Sequence, residues 1–375
     1  MTPFYLPIIK ISRVLTMNRK TTFSILIAAA MAVSCTSGTD RNGIRVIDAD
    51  LTGLDVKEIS LSEMNMLPLE YSEKSIVGGG INGVAQTKDG GYIIASTTTG
   101  NHRLMQFDKF GRYLRDIGHQ GRGPGEFLDI SSIFIISDTL YASSFYGKNI
   151  VRYLIEDDGY EFLPPISYEN LNWGISYIFA TDDIPDRYFV KNTYNGTPGY
   201  TTPLFTVYDR NWNIVDTCRT RHPEGGFKSS YPISHTGDKV YLSQIFVDTI
   251  FVADNSGIHP AFRLDFGKSD YPADIKYDVM KRYEYIQKHP DSRYLLHNAS
   301  LVTDDKAYLC LPSARALYLM VYDINGSKSS FYRILDEDGE QAGLYWMFRD
   351  NEGKVKGVFT SSRQENPVIC DLSVL

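Results

Sequence analysis

Residues 90–96 read GGYIIAS, a short apolar strand that opens on glycine, and versions of this stretch recur along the chain. Five further copies open on Asp or Gly: DTLYASS at Asp138, DRYFVKN at Asp186, DKVYLSQ at Asp238, DKAYLCL at Asp305 and GKVKGVF at Gly353. The intervals between successive openings are 48, 48, 52, 67 and 48 residues. A period near 50 residues indicates similar supersecondary units that stack on one another.

A turn signal follows the first five of these strands. The signals are FDKFG at 107–111, EDDG at 156–159, DRNW at 209–212, DNSG at 254–257 and DING at 323–326. An Asp carboxylate can accept hydrogen bonds from backbone N–H groups two residues on, and glycine adopts the positive φ that closes a short hairpin. In DRNW, which lacks glycine, Asn211 is predicted to take the left-handed conformation. The turns predict that each repeat continues into an antiparallel hairpin.

Counting strands gives the architecture. Each repeat contains four strands, a to d, with strand b at the opening and strand c before the Asp turn. The last repeat has candidates for a, b and c at 344–349, 355–360 and 367–372, but none for d. Met64–Leu69 (MNMLPL) can supply that outer strand and cover the open edge. The sequence therefore predicts an all-β, six-bladed β-propeller of four-stranded antiparallel blades, closed by an N-terminal strand; five or seven blades are the alternatives.

Residues 44–375 are predicted to form this single domain, because a propeller grows by adding blades around an axis. The segment 36–43 is predicted to be a flexible tether in front of it. One helical insertion at 273–289 accounts for the interval of 67 residues. By its spacing, the helix places four apolar residues on one face: Ile275, Val279, Tyr283 and Ile286.

The first 35 residues form a predicted lipoprotein-type signal. Read from Met17, the segment has a basic start, an apolar run at 23–33 and small residues before Cys35. The sequence AVSC resembles a bacterial lipobox, so Cys35 is the predicted lipidation site and the chain a membrane-anchored protein. An ordinary signal peptide and an uncleaved anchor are the alternatives, although the apolar run is shorter than the ~20 residues of a bilayer span.

Net charge limits the kinds of partner that the protein can bind, and the cysteine content raises the question of disulfides. Four basic residues and no acid precede Cys35, so the mature chain has 34 basic and 45 acidic residues, a net charge of −11. A body this acidic does not suit a polyanion, and no nucleic acid partner is expected. Cys218, Cys310 and Cys370 are predicted to be buried free thiols. A disulfide stays open as an alternative because the envelope permits one and its pairing cannot be read from sequence.

The connector GHQGRGPGEF at 118–127 carries a family resemblance. It resembles the segment that joins the blades of NHL repeats, and the chain from residue 44 onward resembles the six-bladed β-propeller lipoproteins of Bacteroidetes. The stretches MNMLPLE at 64–70 and LDFGK at 264–268 also resemble that group. The resemblance implies a propeller attached to the cell envelope.

The glycines of this connector also invite comparison with a phosphate-binding loop. Such a loop should open a helix and carry a Lys followed by Ser or Thr, whereas here a strand follows and no Lys is present. We therefore predict a structural crossing between blades, in which Glu126 accepts hydrogen bonds from loop N–H groups and Arg122 is exposed.

Local catalytic motifs are absent from the sequence. It contains no GxSxG, HExxH or CxxC, and the seven histidines are scattered. Propeller lactonases and lyases build metal sites from Glu, Asn, Asp and His that line the central channel, an arrangement that leaves no local spacing. A metal-dependent lactonase or lyase with a Ca²⁺ or Zn²⁺ ion in the channel is therefore the alternative function. No other cofactor is expected.

Antiparallel strands place the b–c and d–a connections on one face of the ring, and the longer, irregular segments all belong to this group. Variable loops on a rigid frame are the usual place for binding. The candidate binding residues are the aromatic and cationic ones: Arg122, Tyr146, Trp173, Tyr194, Tyr200, Arg315 and Arg363. The leading hypothesis is a lipid-anchored binding or scaffold module of the cell envelope, in the outer membrane on its periplasmic or surface side. Its partner is predicted to be a glycan, a peptide or an envelope protein.

Overall fold

Four short strands precede the first complete blade. They are β1 (Gly38–Thr39), β2 (Arg45–Asp48), β3 (Lys57–Ser60) and β4 (Leu67–Pro68), with a 3₁₀ turn at Leu61–Glu63 between the last two. The computed structural model describes residues 38–53, 55–98, 100–171, 174–193, 203–220 and 233–375. The predicted lipidation site, Cys35, lies outside these ranges, as do three candidate binding residues, Trp173, Tyr194 and Tyr200.

Six blades follow in chain order, and the predicted fold is confirmed. Blade 1 has β5 (Gly80–Gln86), β6 (Tyr92–Thr98), β7 (Asn101–Phe107) and β8 (Tyr113–Asp116), and the connector after it has β9 (His119–Gln120) and β10 (Glu126–Phe127). Blade 2 has β11 (Ser132–Ile136), β12 (Thr139–Ser144), β13 (Asn149–Glu156) and β14 (Gly159–Ser167). Blade 3 has β15 (Ile175–Thr181), β16 (Ile184–Asn192), β17 (Phe205–Asp209) and β18 (Ile214–Cys218).

The second half of the ring has the same plan. Blade 4 has β19 (Ile233–Thr236), β20 (Lys239–Gln244), β21 (Val247–Asp254) and β22 (Gly257–Asp265), followed by a 3₁₀ turn at Gly267–Ser269 and helices α1 (Ala273–Lys276) and α2 (Val279–Lys288). Blade 5 has β23 (Leu296–Val302), β24 (Lys306–Pro312), β25 (Leu317–Asp323) and β26 (Lys328–Leu335). Blade 6 has β27 (Leu344–Arg349), β28 (Val355–Phe359) and β29 (Val368–Asp371), with a 3₁₀ turn at Leu372–Val374. Within the described ranges, no helix has the length and apolar composition that a bilayer crossing requires.

Alternate residues of strand β6 fill the two interfaces on either side of blade 1. On β6, Tyr92 and Ile94 pack in the cluster shared with blade 6, whereas Ile93 and Ala95 pack in the cluster shared with blade 2. Both faces of a blade are therefore apolar, and each needs a neighbour to exclude water.

The predicted closing strand completes blade 6. In β4, Leu67 pairs with Ile369 and Pro68 with Val368, antiparallel to β29. Asn366, 1% exposed, strengthens the junction. Its Oδ1 accepts a hydrogen bond from the Val77 N–H (2.9 Å), and its Nδ2 donates to the carbonyls of Glu70 (2.6 Å) and Ser75 (2.7 Å). A single buried amide thus joins the C-terminal blade to the N-terminal segment.

Two further N-terminal strands add to outer edges, which the sequence analysis did not predict. Strand β2 pairs in parallel with β22 of blade 4, and β3 pairs in parallel with β26 of blade 5. Strand β1, within the segment predicted to be a tether, forms a short antiparallel pair with β2. The chain therefore follows the outside of blades 4 and 5 before it closes blade 6.

The predicted Asp hydrogen bonds are present in four of the five turns, FDKFG, DRNW, DNSG and DING, and are not found among the described residues of EDDG. Asp108 Oδ1 accepts from the N–H groups of Phe110 and Arg112, both at 2.9 Å.

Glycine takes the predicted positive φ at Gly111 (79°) and Gly257 (113°), but Gly159 does not, and in DING the positive φ falls on Ser327 (53°). In DRNW the positive φ falls on Trp212 (63°) and not on Asn211. The Trp212 ring stacks on Tyr188 at 4.5 Å, and this packing offsets the cost of the left-handed conformation.

The helical insertion differs from the prediction in one respect, and the cysteines agree with it. The insertion is two helices, and Tyr283, predicted for the packed face, is 66% exposed. Ile275 and Ile286 pack against Phe246 and Tyr271, in agreement with the predicted face, and Tyr285 packs there with them. Cys218, Cys310 and Cys370 are buried free thiols, as predicted. Burial raises the pKa of each thiol above its usual value of 9.0, which keeps these thiols protonated at neutral pH.

Removal of the Asn366 amide should weaken the ring. We expect Asn366→Ala to lower the free energy of unfolding by about 3 kcal/mol, because one N–H and two carbonyls lose their buried partner. Urea unfolding measures this effect. Gln364→Ala, in the same loop but exposed, is the control and should change stability by less than about 0.5 kcal/mol. Equal stability of the two variants would contradict the role given to Asn366.

Candidate functional site

The two faces of the ring differ in their connections. The a–b and c–d turns are short, such as 137–138 and 157–158 in blade 2. The b–c and d–a connections include 117–131, 145–148, 266–295 and 360–367. We call the face that carries the b–c and d–a connections the loop-rich face.

The connector that carries Arg122 is ordered by Glu126. Its two short strands, β9 and β10, pair in parallel. Glu126 Oε2 accepts a hydrogen bond from the Gly123 N–H (2.6 Å), and Oε1 lies 2.5 Å from His119 Nε2. The Gly123 N–H and the His119 ring both lower the pKa of Glu126 below its usual range. A Cβ on Gly121 would collide with this carboxylate, so the glycines make room for Glu126, and Arg122 is exposed between them.

Tyr146 is held out from the loop-rich face by a buried aspartate that the sequence analysis missed. Asp129, 6% exposed, accepts hydrogen bonds from Ser144 Oγ (2.6 Å) and from the N–H groups of Phe145 (3.0 Å) and Tyr146 (2.9 Å). The Tyr146 side chain is 62% exposed and contacts Phe145 edge to face at 5.2 Å. An exposed aromatic ring on a loop fixed by three hydrogen bonds is preorganised for a contact.

Two of the three candidate arginines, Arg315 and Arg363, are paired with acids. Arg315 Nη1 lies 3.3 Å from Asp291 Oδ2. Arg363 Nη2 lies 3.0 Å from Asp338 Oδ1 and also donates to the Glu337 carbonyl at 3.2 Å. Both arginine side chains are about two-thirds exposed, so the pairs are accessible but nearly neutral in sum. The two arginines lie in different connections, Arg315 in the b–c loop of blade 5 and Arg363 in the b–c loop of blade 6.

The helical insertion adds apolar surface to the same face. Lys276 fixes α1 to blade 4, because its ammonium lies 2.5 Å from Asp248 and 2.7 Å from Asp270. On α2, the Arg282 guanidinium lies over the Phe246 ring at 4.3 Å. Met280 and Tyr283, three residues apart, are 65% and 66% exposed. Tyr283 is therefore a second exposed aromatic residue that the sequence analysis missed, since it had grouped this side chain with the apolar face of the helix.

A buried lysine lies at the interface of blades 3 and 4. Lys191 on β16 is 4% exposed, and no described residue accepts a hydrogen bond from its ammonium. On the same side of β16, Phe189 packs with Leu242 of β20, and Gln244, two residues further, has a buried Oε1 without a described partner. Burial lowers the pKa of Lys191 from 10.5 to about 7. A lysine that interrupts the apolar strand RYFVKN was the available sequence signal.

Aromatic side chains of blade 3 reach into the centre of the ring. Tyr177 on β15 of blade 3 is 3% exposed and packs in the cluster of blades 6 and 1, across the axis. Near the a–b turns, His235 lies 3.5 Å from Asp183 and packs against Phe179, whose ring centroid is 5.3 Å from its own. Burial lowers the pKa of His235, which favours the neutral ring. In the described ranges, no three His, Cys, Asp or Glu side chains are grouped as metal ligands.

Comparisons with known proteins place the chain in a family. The family model described as "Domain of unknown function (DUF4934)" matches residues 44–366. No curated protein matches the chain.

Solved structures share the fold. An exported protein from Bacteroides fragilis is similar with a TM-score of 0.65 and 19% sequence identity, over 87% of this chain and 98% of that one. Virginiamycin B lyase from Staphylococcus aureus is similar with a TM-score of 0.42 and 14% identity, over 82% and 98%. A streptogramin B lyase gives 0.41 and 12%, over 82% and 96%. The first likeness supports the propeller fold, and the likeness to the lyases is too distant to bear on activity.

Lys191 should give a measurable pH dependence. Between pH 7 and 10.5 the unfolded chain binds a proton at this lysine that the native chain does not bind, so native stability rises with pH across this window. We expect Lys191→Met to be more stable than the parent at pH 7 by about 4 kcal/mol, and nearly equal to it in stability near pH 10.5.

Urea unfolding at both pH values measures the difference between parent and variant, in which all other titrations cancel. Lys239→Met, at the exposed start of β20, is the control and should give no such trend. A pH-independent difference for Lys191→Met would contradict a native lysine that is neutral above pH 7.

Proposed function

The chain belongs to the DUF4934 family, and from this premise and the geometry of the loop-rich face we propose that it is a lipid-anchored binding or scaffold module of the cell envelope. Its ligand is a glycan, a peptide or an envelope protein. The observation that carries the proposal is Tyr146, an exposed ring on a loop that the buried Asp129 holds in place.

The envelope location is supported by the N-terminal segment. A basic start, an apolar run and the sequence AVSC precede the domain, and Cys35 is the residue that would carry the lipid. The similar protein from Bacteroides fragilis is an exported protein, which agrees with an envelope location for this chain. We propose that the lipid anchor lies in the outer membrane. We also propose that the segment at 118–127, which resembles an NHL repeat, links the first two blades as the corresponding segment does in NHL propellers.

The chemistry of the loop-rich face favours a ligand with polar and apolar surface. Tyr146 and Tyr283 can stack on a sugar ring or on an apolar side chain. Arg315 and Arg363 each have a carboxylate partner, so they offer paired donors and acceptors in place of a strong positive field. A glycan or a peptide backbone fits such a surface better than a polyanion does.

Lipid anchoring depends on one atom, the Cys35 sulfur. We expect Cys35→Ala to move the protein from the membrane fraction to the soluble fraction and to abolish fatty acid labelling, because only the thiol accepts the diacylglyceryl group. Metabolic labelling and fractionation measure both effects. Equal labelling of parent and variant, or an unlabelled parent, would contradict the anchor.

Binding should depend on the exposed aromatic residue of the loop-rich face. We expect Tyr146→Ala to weaken binding to a glycan array or an immobilised peptide library about 30-fold, a typical loss of ~2 kcal/mol at a hot spot. Phe110→Ala is the matched control, since Phe110 is also 62% exposed but lies in a c–d turn on the opposite face. A larger loss for Phe110→Ala, at equal folded stability, would place the site on the other face.

A further inference from the structure

A cleft with a volume of about 400 Å³ opens between blades 1 and 2 on the face opposite the loop-rich face. It lies among the a–b turns of both blades and the c–d turn of blade 2, and the function proposed above does not use it. Its volume is within the range of small-molecule pockets. We call it the blade 1–2 cleft.

A buried amide in the cleft lacks a partner. Gln106 on β7 lines the cleft with a side chain that is 5% exposed, and its Oε1 receives no hydrogen bond from any described residue. A buried carbonyl oxygen without a donor costs about 1 to 3 kcal/mol. Because this side chain lines the cleft, a bound ligand with an N–H group can donate a hydrogen bond to the Gln106 Oε1 atom.

Acidic side chains surround the opening. Asp89, Asp138, Glu156 and Asp157 all line the cleft. Their cationic neighbours are Lys88, 3.9 Å from Asp138, and Arg115, which donates to the backbone carbonyl of Asp157 at 3.2 Å. Asp89 Oδ1 accepts a hydrogen bond from Thr87 Oγ1 at 2.5 Å. The carboxylates of Glu156 and Asp157 accept no hydrogen bond from the described residues, so the rim attracts positive charge.

The wall of the cleft is apolar. Ile135 and Ile155 of blade 2 are half-buried, and Leu114 of blade 1 is 45% exposed. The acids around the opening do not form a group of three that could hold a metal ion within the described ranges. A compact ion would leave this apolar wall unused. An elongated ligand would use the wall, the rim and the amide together.

We propose that the blade 1–2 cleft binds an organic cation, an ammonium or guanidinium group on a short alkyl stem. The stem lies against Leu114, Ile135 and Ile155, the charge meets Glu156 and Asp157, and an N–H group donates to Gln106. A lysine or arginine side chain of a peptide and a free alkyl diamine both supply this chemistry.

Calorimetric titration of the full chain carrying Cys35→Ala tests the proposal with named probes. These are 1,5-diaminopentane, the peptide acetyl-Gly-Lys-Gly-amide, and the same peptide with norleucine in place of lysine. We expect one or both cationic probes to bind, binding to weaken as salt rises, and the norleucine peptide to bind at least about 10-fold more weakly. Binding of the lysine peptide alone identifies a peptide source, and binding of the diamine alone identifies a free amine.

Variants locate the site. The double variant Glu156→Gln, Asp157→Asn should weaken the binding cation about 10-fold, whereas Asp158→Asn, an exposed neighbour outside the cleft, should leave it unchanged. Gln106→Leu should also weaken binding while the protein stays as stable as the parent, since both the acceptor and its burial cost are removed. No binding of either cation at millimolar concentration, or an equal loss in Asp158→Asn, would overturn the proposal. Neither result bears on the loop-rich face.

Discussion

Each blade has two apolar faces, and this constraint governs the whole molecule. The alternation of β6, with Tyr92 and Ile94 toward blade 6 and Ile93 and Ala95 toward blade 2, means that no blade is stable with one neighbour missing. The ring must therefore close, and the outer edge of β29 in blade 6 is covered by β4, far away in sequence. Asn366 holds the same junction through three buried hydrogen bonds.

Closure separates two kinds of surface. The short a–b and c–d turns are set by local Asp and Gly chemistry, and they leave one face regular. The b–c and d–a connections have room to vary, and there Asp129 and Lys276 order the loop at Tyr146 and the helical insertion. On the regular face, the seam of blades 1 and 2 holds the acidic cleft. A rigid ring can in this way present two chemically different sites on opposite sides.

Local patterns predicted much of the fold, and of the long-range pairings the closing strand was predicted but those of β2 and β3 were not. The strand b openings and Asp turns are adjacent in sequence, so the hairpins followed, and the closing strand followed from counting edges. Strands β2 and β3 pair in parallel with β22 and β26 more than 200 residues away, where no turn signal marks the partner. The positive φ of the DRNW turn was predicted for Asn211 but occurs at Trp212, also because of a contact outside the turn. The packing of the Trp212 ring on Tyr188 outweighs the preference of asparagine for positive φ. The cleft is lined by Gln106 of blade 1 and by Glu156 of blade 2, and the distance between these residues in the sequence gives no indication that they share a cleft.

The central claim is that β4 closes a ring that otherwise has a bare edge. Two truncated chains test it, one starting at Leu61, which keeps β4, and one starting at Glu70, which lacks it. Both lack β1, β2 and β3, so the difference between them isolates the closing segment. If β4 closes the ring, the longer chain unfolds in one cooperative urea transition, and the shorter chain, whose last blade exposes the edge of β29, shows a broad transition with self-association. Coincident cooperative transitions of two monomeric chains would contradict closure by β4.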